Sequence, residues 1–336
     1  MSVLPRISCI EKKDGFTKLK NTDNLNDLDL SEEIIYMKGF VNINKPLGMT
    51  SSDVVVKVRG ILRRASGEKQ KVGHLGTLDP QGSGVLPIAV GTATRLFDFM
   101  QEKRKVYQAT FVFGKETDTL DGVGKIVATS DILPAKEQIE AFVATYHGKI
   151  DQVPPQYSAK SVDGRRAYDL ARQGVAVELA PKRVNIEYVK LLDAPSGVAH
   201  LKKGDYTLQD NEYAFEIACS SGTYIRSIAR DVAYALKTVG YMSSIDRVQS
   251  GNFCLDDAVT LEEFEKEPLR YLKSVDSVLC DNECYDLQEE CAARVLNGVK
   301  LPFDDMPAGD FLVKYQGEII AIGENQDGLL RLKTRL

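Results

Sequence analysis

GHLGTLDPQGSGVLP, at residues 73–87, is the stretch that says most about the fold. It carries four glycines within twelve positions, from Gly73 to Gly84. Glycine permits tight turns and lets the backbone approach a ligand closely. Pro80 restricts the residue before it to an extended backbone, so we expect a rigid loop that presents the Asp79 carboxylate at its tip. The spacing of a Walker-type phosphate loop is missing, and no G-x-G-x-x-G stands beside a predicted strand.

Asp79 has two interpretations at this point. A single carboxylate without a Ser–His or metal partner suits nucleophilic or general-base work on an electrophilic sugar carbon. An aspartate in a glycine-rich loop is more often a residue that stabilises a turn or caps a helix. The loop by itself leaves both interpretations open.

The composition is that of a globular enzyme with ample apolar material for a core. The chain has 336 residues, of which 43% are hydrophobic and 27% are charged, and this length favours two structural units. No apolar run approaches the ~20 residues of a membrane span. The first residues lack the pattern of a secretory signal. We therefore expect a cytoplasmic protein.

The six cysteines indicate neither a disulfide framework nor a metal site. Thiols of a cytoplasmic protein usually stay reduced. Cys280, Cys284 and Cys291 lie closest together, and their spacing matches no familiar zinc knuckle. We expect no metal ion.

Charge is distributed unevenly, although the formal net charge is only −5. Residues 1–37 have a net charge of −2, residues 38–253 of +6 and residues 254–336 of −9. A basic central part can bind phosphates locally in a protein that is acidic as a whole. A solvated and slightly basic surface explains the same numbers, so charge alone does not identify a nucleic-acid partner.

Strands and helices intermix without a regular βαβ repeat, which favours an α+β fold over a doubly wound one. Apolar alternation and turn residues predict strands at 40–43, 107–113, 213–219, 311–315 and 318–322. Helical spacing and capping residues predict helices after 50–53, at 137–146, at 164–173, after 220–223 and at 287–296. Residues 73–84 are predicted to form a loop and residues 261–278 a connection.

Four blocks, in the same order along the chain, resemble the TruB family of pseudouridine synthases. They are NINKPLGMTS at 42–51, GHLGTLDPQGSGVLPIAVG at 73–91, KRKVYQATFVFG at 103–114 and SSGTYIRSIARD at 220–231. The second block is similar to the G-[TA]-L-D-P signature of the family, which contains its invariant aspartate. The resemblance covers about residues 38–254 in full and the tail at 283–336 more loosely.

This resemblance implies a fold and a reaction. The fold would be an α+β pseudouridine synthase fold, with a central mixed or antiparallel sheet flanked by helices and a small β-rich, PUA-like domain at the C-terminus. The reaction would isomerise a uridine in RNA to pseudouridine, by detachment of the base, rotation and re-attachment through carbon. Such an isomerisation needs no cofactor and no metal.

The resemblance also assigns roles to residues around the loop. Asp79 would be the catalytic carboxylate, which either attacks the ribose or assists detachment of the base. Arg226 would pair with that carboxylate, where the alternative is an ordinary salt bridge on a helix surface. Tyr107 would pack on the target base, placed for proton transfer, where the alternative is a tyrosine of the apolar core.

Three further residues are matched to the same pocket. Tyr224 would line it as a second tyrosine. His74 would stack on the flipped nucleotide or donate a hydrogen bond to it. Lys45, from the Lys-Pro motif, would support the pocket structurally.

The substrate implied by the resemblance is the T-arm stem-loop of tRNA. The stretches 118–124 and 157–172 resemble the bacterial insertion that closes over this arm. The candidate phosphate contacts in the insertion are Lys160, Arg165, Arg166 and Arg172. Arg63 and Arg64 are candidate RNA contacts on the polar face of the first helix, where a solvated surface is the alternative. The insertion favours a stand-alone enzyme, and we expect a monomer without guide RNA and without membrane contact.

Three regions are expected along the chain. Residues 1–36 have too little apolar mass to fold alone and are predicted to be a poorly ordered extension. Residues 37–276 would form the catalytic domain, with the insertion at about 118–172. Residues 277–336 would form a degenerate PUA-like RNA-binding domain, although their negative charge weakens the prediction that they bind RNA strongly.

Three alternative functions can be compared with this one. The insertion argues against a synthase that acts on another RNA. A non-catalytic tRNA-folding chaperone would be expected to have lost Asp79, Tyr107 or Arg226, and all three are present. A glycosidase would need a second carboxylate flanking the sugar, and no other carboxylate stands in a comparable glycine-framed loop.

Overall fold

The computed structural model describes most of the chain, as an α+β fold. The described residues are 7–13, 16–21, 35–101, 104–158, 161–162, 165–166, 170, 173, 177–192, 208, 210–303, 305–307 and 309–336. None of their helices is long and apolar enough to cross a membrane. Strands and helices are numbered below in chain order.

A nine-stranded mixed sheet forms the centre of the described structure. Its strands are β4 (Gly39–Lys45), β5 (Val72–His74), β6 (Gly82–Val90), β7 (Lys105–Phe113), β10 (Gly148–Gln152), β13 (Lys182–Leu191), β14 (Glu212–Cys219), β15 (Gly240–Ser250) and β16 (Phe253–Cys254). The main path runs β10–β13–β14–β7–β15–β6–β4, with β5 beside β6 and β16 beside β15. Neighbouring strands are antiparallel except β15 and β6, which run parallel with Ile245 opposite Gly82. This parallel pair places β15 beside the strand that follows Asp79.

The first helix forms where the sequence predicts it. α1 (Ser51–Ser66) begins after Thr50, whose side chain accepts the Asp53 N–H while the Asp53 carboxylate accepts the Thr50 N–H. This capping box satisfies two N–H groups that the helix itself leaves unpaired. The helix ends at Gly67, whose left-handed backbone (φ 75°) is a common helix terminator.

Of the remaining helices, the last packs on the C-terminal sheet through Ala292 and Val295, and the others lie before it in the chain. The remaining helices are α2 (Phe97–Gln101), α3 (Lys136–Val143), α4 (Ile225–Ala235), α5 (Leu261–Lys266), α6 (Val275–Val278) and α7 (Glu289–Leu296), with 3-10 helices at Gly91–Leu96 and Leu255–Asp257. α3 and α4 pack on β7, β13 and β14 in a core cluster that includes Phe111, Ile139 and Ile228. α1 and α5 pack on β4 and β6 in a second cluster that includes Leu62 and Phe264. The apolar stripe of each helix is therefore buried against the sheet.

Five strands form a second sheet at the C-terminus. They are β17 (Cys284–Asp286), β18 (Leu301–Pro302), β19 (Asp310–Tyr315), β20 (Glu318–Gln326) and β21 (Leu329–Arg335), in the order β17–β19–β20–β21–β18. β19 turns into β20 at Gln316 and Gly317, whose positive φ values of 51° and 80° are those of a two-residue hairpin loop. Ile319 and Ile322 share a core cluster with Phe40 of β4, so the C-terminal sheet packs directly on the central part.

Short antiparallel pairings complete the described structure. β1 (Ile7–Lys13), β2 (Phe16–Asn21) and β3 (Ile35–Met37) form one sheet. β8 (Lys115–Thr117) pairs with β9 (Ile126–Thr129), and β11 (Ser161–Val162) pairs with β12 (Arg165–Arg166). The division of the chain at residues 36 and 276 and the poor order of residues 1–36 stay predictions.

The predicted elements agree with the structure except in three places. The helix predicted at 164–173 is wrong at residues 165–166, which pair with 161–162 as strands, because the Asp163-Gly164 dipeptide is a strong hairpin signal that competes with helical spacing. The loop predicted at 73–84 is shorter, because its two ends belong to β5 and β6. The connection at 261–278 contains α5 and α6.

Candidate active site

The loop at residues 75–81 joins β5 to β6 and is held against the start of α1. The hydroxyl of Ser51, the first residue of α1, donates to the Leu78 carbonyl (2.9 Å) and accepts the Leu78 N–H (2.8 Å). The Asp79 carbonyl accepts the Gly82 N–H (2.9 Å), which closes a four-residue turn. The backbone on both sides of the Asp79 side chain is therefore fixed.

Asp79 forms an ion pair with Arg226, as the resemblance implies. Nη2 of Arg226 donates to Oδ2 of Asp79 at 2.8 Å. The Asp79 side chain is 49% exposed and the Arg226 side chain is 10% exposed, so a ligand can reach the carboxylate while the guanidinium stays enclosed. A charge-assisted hydrogen bond of this kind fixes the orientation of the carboxylate.

Arg226 also contacts three groups that the sequence did not single out. Its Nη1 donates to the Thr119 carbonyl (3.1 Å) and to the Asp121 carboxylate (3.3 Å), and its Nη2 donates to the Tyr157 carbonyl (3.0 Å). The Asp121 side chain is 10% exposed. Asp121 therefore holds Nη1 of Arg226, while Nη2 bonds Asp79. Nothing in its local sequence distinguishes it from the other acidic residues at 118–124.

Arg247 holds the other side of the loop from the neighbouring strand β15. The side chain is fully buried. Its Nε donates to the Val85 carbonyl (2.8 Å), while Nη1 and Nη2 donate to the carbonyls of Thr77 (3.3 Å) and Gly76 (3.1 Å). The planar guanidinium presents donors in several directions, so one side chain can bind three backbone carbonyls. Sequence reasoning missed Arg247, because its place depends on the parallel pairing of β15 with β6.

A cavity of about 720 Å³ opens beside the Asp79 carboxylate. Four of the six active-site residues implied by the resemblance line it, namely Asp79, Tyr107, Tyr224 and Arg226. This volume lies in the usual range of small-ligand pockets. The structure therefore brings together residues that are up to 147 positions apart in the chain.

Two tyrosines form aromatic parts of the cavity wall. Tyr107, on β7, is 7% exposed. Burial raises the pKa of its hydroxyl, and the nearby Arg247, which also hydrogen bonds that hydroxyl, opposes the shift. The hydroxyl therefore stays protonated at neutral pH. Tyr224, the residue before α4, is partly exposed and adds a second ring on which a planar ligand can stack.

Four cationic side chains face the cavity. Lys105 on β7 and Lys182 on β13 line it together with Arg226 and Arg247. Burial lowers the pKa of Lys105 to about 8, and Arg247 adds to this effect. Among the described residues that line the cavity, Asp79 is the only carboxylate. A cavity whose lining is positively charged attracts anionic ligands such as nucleotide phosphates.

Lys45 and His74 flank the loop without lining the cavity. The Lys45 Nζ donates to the carbonyls of Pro46 (3.0 Å) and Met49 (2.6 Å), and burial lowers the pKa of Lys45 to about 8 although Asp79 opposes that shift. His74 ends β5, where burial lowers its pKa. Its Nδ1 is buried without a hydrogen-bond partner in the described part of the chain. The ligand contact assigned to His74 stays a prediction.

Two of the predicted RNA contacts lie on α1. Arg63 and Arg64 are exposed in the last turn of the helix. They are about 18 Å along the helix axis from Ser51, which is the end of α1 that contacts the loop. Arg64 is paired with Glu265 at 2.5 Å. The structure places neither at the cavity.

Four predicted RNA contacts belong to the insertion. Arg165 and Arg166 form β12, of which only the backbone is described. Lys160 and Arg172 lie outside the described residues. The start of the segment 157–172 reaches the site, because the Tyr157 carbonyl accepts a hydrogen bond from Arg226 and Ser158 lines the cavity.

The site suits a reaction in which a single carboxylate acts on a sugar carbon. An oriented and accessible carboxylate can act as nucleophile or base, and the tyrosine rings can hold a planar base beside it. A glycosidase places two carboxylates on either side of the scissile bond. Asp121, the second acid bonded to Arg226, is enclosed and does not line the cavity.

Comparison with known proteins identifies the family. The model of the TruB family pseudouridylate synthase N-terminal domain matches residues 63–225. The chain is 41% identical over 309 residues to tRNA pseudouridine synthase B of Novosphingobium aromaticivorans, covering 88% of this chain and 95% of that relative. It is 36% identical over 298 residues to tRNA pseudouridine synthase B of Clostridium kluyveri, covering 87% and 96%.

Solved structures share the fold. A crystal structure of a Cbf5-Nop10-Gar1 complex matches with a TM-score of 0.64 at 22% identity, over 89% of this chain and 84% of that chain. An H/ACA RNP bound to a substrate RNA containing 2′-deoxyuridine matches with a TM-score of 0.62 at 20% identity, over 88% and 84%. These matches confirm the predicted α+β fold. Because these relatives are 36–41% identical over 87–88% of the chain and the matched range of the family model includes residues 75–81, the chain belongs to the TruB family of pseudouridylate synthases, which isomerise uridine in RNA.

Proposed function

We propose that this protein converts one uridine in the T-arm loop of tRNA to pseudouridine, with Asp79 as the catalytic carboxylate. The observation that carries the proposal is the Asp79–Arg226 ion pair at the edge of a cavity walled by two tyrosines. The relatives named tRNA pseudouridine synthase B support the choice of tRNA as substrate, since they are 34–41% identical over most of the chain.

The reaction is an isomerisation whose atoms balance within the nucleotide. The bond between N1 of uracil and C1′ of ribose breaks, the base rotates, and a bond from C5 to C1′ forms. C5 loses its proton and N1 gains one, so no oxidant or reductant is consumed. Asp79 serves either as the nucleophile at the sugar or as the group that assists detachment. Arg226 holds the carboxylate in the orientation that both routes need.

The target uridine must leave its stack before the carboxylate can reach the sugar. Extruding a base costs a few kcal/mol, which stacking on aromatic rings and hydrogen bonds to the base edge offset. Tyr107 and Tyr224 supply rings at the cavity. The protonated hydroxyl of Tyr107 also stands where it can exchange a proton with the detached base.

Phosphate contacts would come from two places. Lys105 and Lys182 give the cavity its positive charge, and the insertion brings Lys160, Arg165, Arg166 and Arg172 to the T-arm. A folded RNA loop is recognised mainly by its shape, with exposed bases contacted individually. We further propose that the enzyme acts in the cytoplasm, as a monomer and without guide RNA.

The test is product mapping on an unmodified tRNA transcript and on the isolated T-arm stem-loop. The proposal predicts pseudouridine at one T-arm uridine in both RNAs, with purified protein and no added RNA. Conversion at another position, or conversion only after a guide RNA is added, would contradict it. The stem-loop with that uridine replaced by cytidine is the matched control.

A further inference from the structure

Two glutamines, Gln152 and Gln156, each hold a distant backbone segment with a side-chain amide. The Gln152 Oε1 accepts the Tyr224 N–H (2.8 Å), and its Nε2 donates to the Tyr224 carbonyl (3.1 Å). The Gln156 Oε1 accepts the Val177 N–H (3.1 Å), and its Nε2 donates to the Val177 carbonyl (2.8 Å). Each amide uses its donor and its acceptor on one backbone residue. We call residues 152–156, with the sequence QVPPQ, the brace.

The start of α4 depends on the brace. Tyr224, the residue before the helix, makes no side-chain capping bond, although the first N–H groups of a helix need partners from elsewhere. Gln152 is 1% exposed and supplies the partner for the Tyr224 N–H. The Ser227 hydroxyl adds a second tie by donating to the Val153 carbonyl (2.9 Å). These hydrogen bonds fix the backbone on both sides of Arg226, which lies between Tyr224 and Ser227 in the chain.

The middle of the brace is rigid. Pro154 and Pro155 separate the two glutamines, and both are buried. Proline fixes φ near −65°, so the spacing between the two amides has little freedom. The brace therefore connects the α4 start at one end with Val177 at the other. Val177 follows the predicted insertion at about 118–172, five residues beyond its end.

We propose that Gln152 is a positioning residue for the isomerisation. Its amide places the backbone of Tyr224 and Arg226, and through Arg226 it sets the orientation of the Asp79 carboxylate. Gln152 does not line the cavity, so it acts without touching the substrate. Gln156 makes the same kind of backbone bonds to Val177, just beyond the insertion. This inference rests on the function proposed above.

The two glutamines give a matched pair of variants. Methionine is close to glutamine in length and volume and makes no comparable hydrogen bonds. Gln152→Met leaves the Tyr224 N–H unpaired and lets Arg226 shift, and a displacement near 1 Å costs about a hundredfold in rate. We expect kcat to fall about a hundredfold with KM within about twofold. Gln156→Met is expected to raise KM, with kcat within about twofold of wild type.

The conservative variant gives an independent check. Gln152→Glu keeps an oxygen acceptor for the Tyr224 N–H, and in this buried position the neutral carboxyl group also supplies an O–H donor, so its kcat should lie between those of wild type and Gln152→Met. Thermal unfolding of all variants shows whether they are folded at the assay temperature. The hypothesis is overturned if Gln152→Met and Gln156→Met change kcat and KM alike, or if kcat falls only in proportion to the folded fraction.

A measurement without RNA separates this inference from the proposed function. Amide hydrogen exchange at residues 224–228 of the free protein should be about tenfold faster in Gln152→Met than in wild type, because a buried hydrogen bond is lost. Unchanged exchange there contradicts the positioning role. If wild type fails to convert tRNA, the proposed function fails, and the exchange comparison still decides whether Gln152 holds the start of α4.

Discussion

A single guanidinium, that of Arg226, bonds four groups from three separate parts of the chain. It bonds the carboxylates of Asp79 and Asp121 and the backbone carbonyls of Thr119 and Tyr157. A planar group with donors on two nitrogens can make these bonds at once, whereas a lysine ammonium cannot match their directions. The geometry of the carboxylate therefore depends on arginine in particular, and not only on positive charge.

Arg226→Lys should abolish most turnover while RNA binding is kept. The ammonium retains the charge but loses the fork that orients Asp79, so we expect kcat to fall about a hundredfold. Single-turnover kinetics with excess enzyme would measure this, with RNA affinity from filter binding. Arg270→Lys, which changes an exposed pair with Glu267, is the control and should leave kcat unchanged. Equal activity of Arg226→Lys and wild type would contradict the role of the fork.

The sequence predicted the residues of the site that lie within recognisable blocks. Asp79, Tyr107 and Arg226 meet at the cavity as the resemblance implies. Asp121 and Arg247 were not predicted, because they act through contacts made 105 and about 170 positions away. A charged residue on a strand or in a polar loop resembles a surface residue until the strand order is known.

The buried lysines should make stability depend on pH. The pKa values of Lys45 and Lys105 are lowered from 10.5 to about 8 by burial. Between pH 8 and 10 these two lysines therefore bind more protons in the unfolded chain than in the folded protein, so their contribution to the free energy of unfolding rises with pH. Burial raises the pKa of Cys219 to about 11, which contributes a slope of the opposite sign. Urea titrations from pH 7 to 10 would measure the slope.

Lys45→Met should make the slope from pH 8 to 10 less positive than in wild type, because the contribution of Lys45 is removed while every other group stays. Equal slopes in the two proteins would contradict the burial of Lys45.

At the scale of elements, the parallel pairing of β6 with β15 leaves no space for a side chain at Gly84. Its φ is 98°, and an added Cβ would overlap the backbone carbonyl of Arg247. Gly48 has a similar φ of 84° with no atom within 4 Å of the added Cβ. The two glycines thus differ in packing and share the same backbone requirement.

Gly84→Ala should therefore destabilise the protein more than Gly48→Ala. Left-handed strain alone costs about 1 kcal/mol at Gly48, whereas strain and overpacking together cost about 3 kcal/mol at Gly84. The free energy of unfolding from urea titration gives both values. Equal losses would mean that β6 and β15 do not approach as closely as the pairing of Arg247 with Gly84 requires.

Helices and strands were predicted correctly where the local sequence signal is strong. They were missed where pairing between strands determines the structure. The helix after residues 50–53 and the strands at 311–315 and 318–322 have strong local signals, and all three are confirmed. β6 was missed because its first half is rich in glycine, which is depleted in strands. It forms a strand because β4 and β15 pair with it on both sides.

At the scale of the whole molecule, the C-terminal sheet and the central sheet share a core. Ile319 is fully buried in the cluster that contains Phe40 and Val85, and its N–H donates to the Asp276 carboxylate (2.8 Å). Arg95 also donates to the Arg335 carbonyl (2.8 Å). These contacts predict that the two sheets unfold together.

Ile319→Ala should lower the stability of the entire protein. Removing a fully buried isoleucine costs about 2–5 kcal/mol, and we expect one cooperative transition monitored by circular dichroism and by tyrosine fluorescence. Val299→Ala, at an exposed position (41%) of the same region, should change stability by less than about 0.5 kcal/mol. Two separate transitions in the Ile319→Ala protein would contradict a shared core.

The central claim is that Asp79 performs the isomerisation. Asp79→Asn keeps the size of the side chain and an oxygen that can accept from Arg226, while it removes the charge. The most direct measurement is pseudouridine formation on an unmodified tRNA transcript under single-turnover conditions, with Asp281→Asn, at an exposed position, as the control. We predict full conversion by wild type and Asp281→Asn, and tRNA binding without conversion by Asp79→Asn. Conversion by Asp79→Asn at a rate near that of wild type would contradict it.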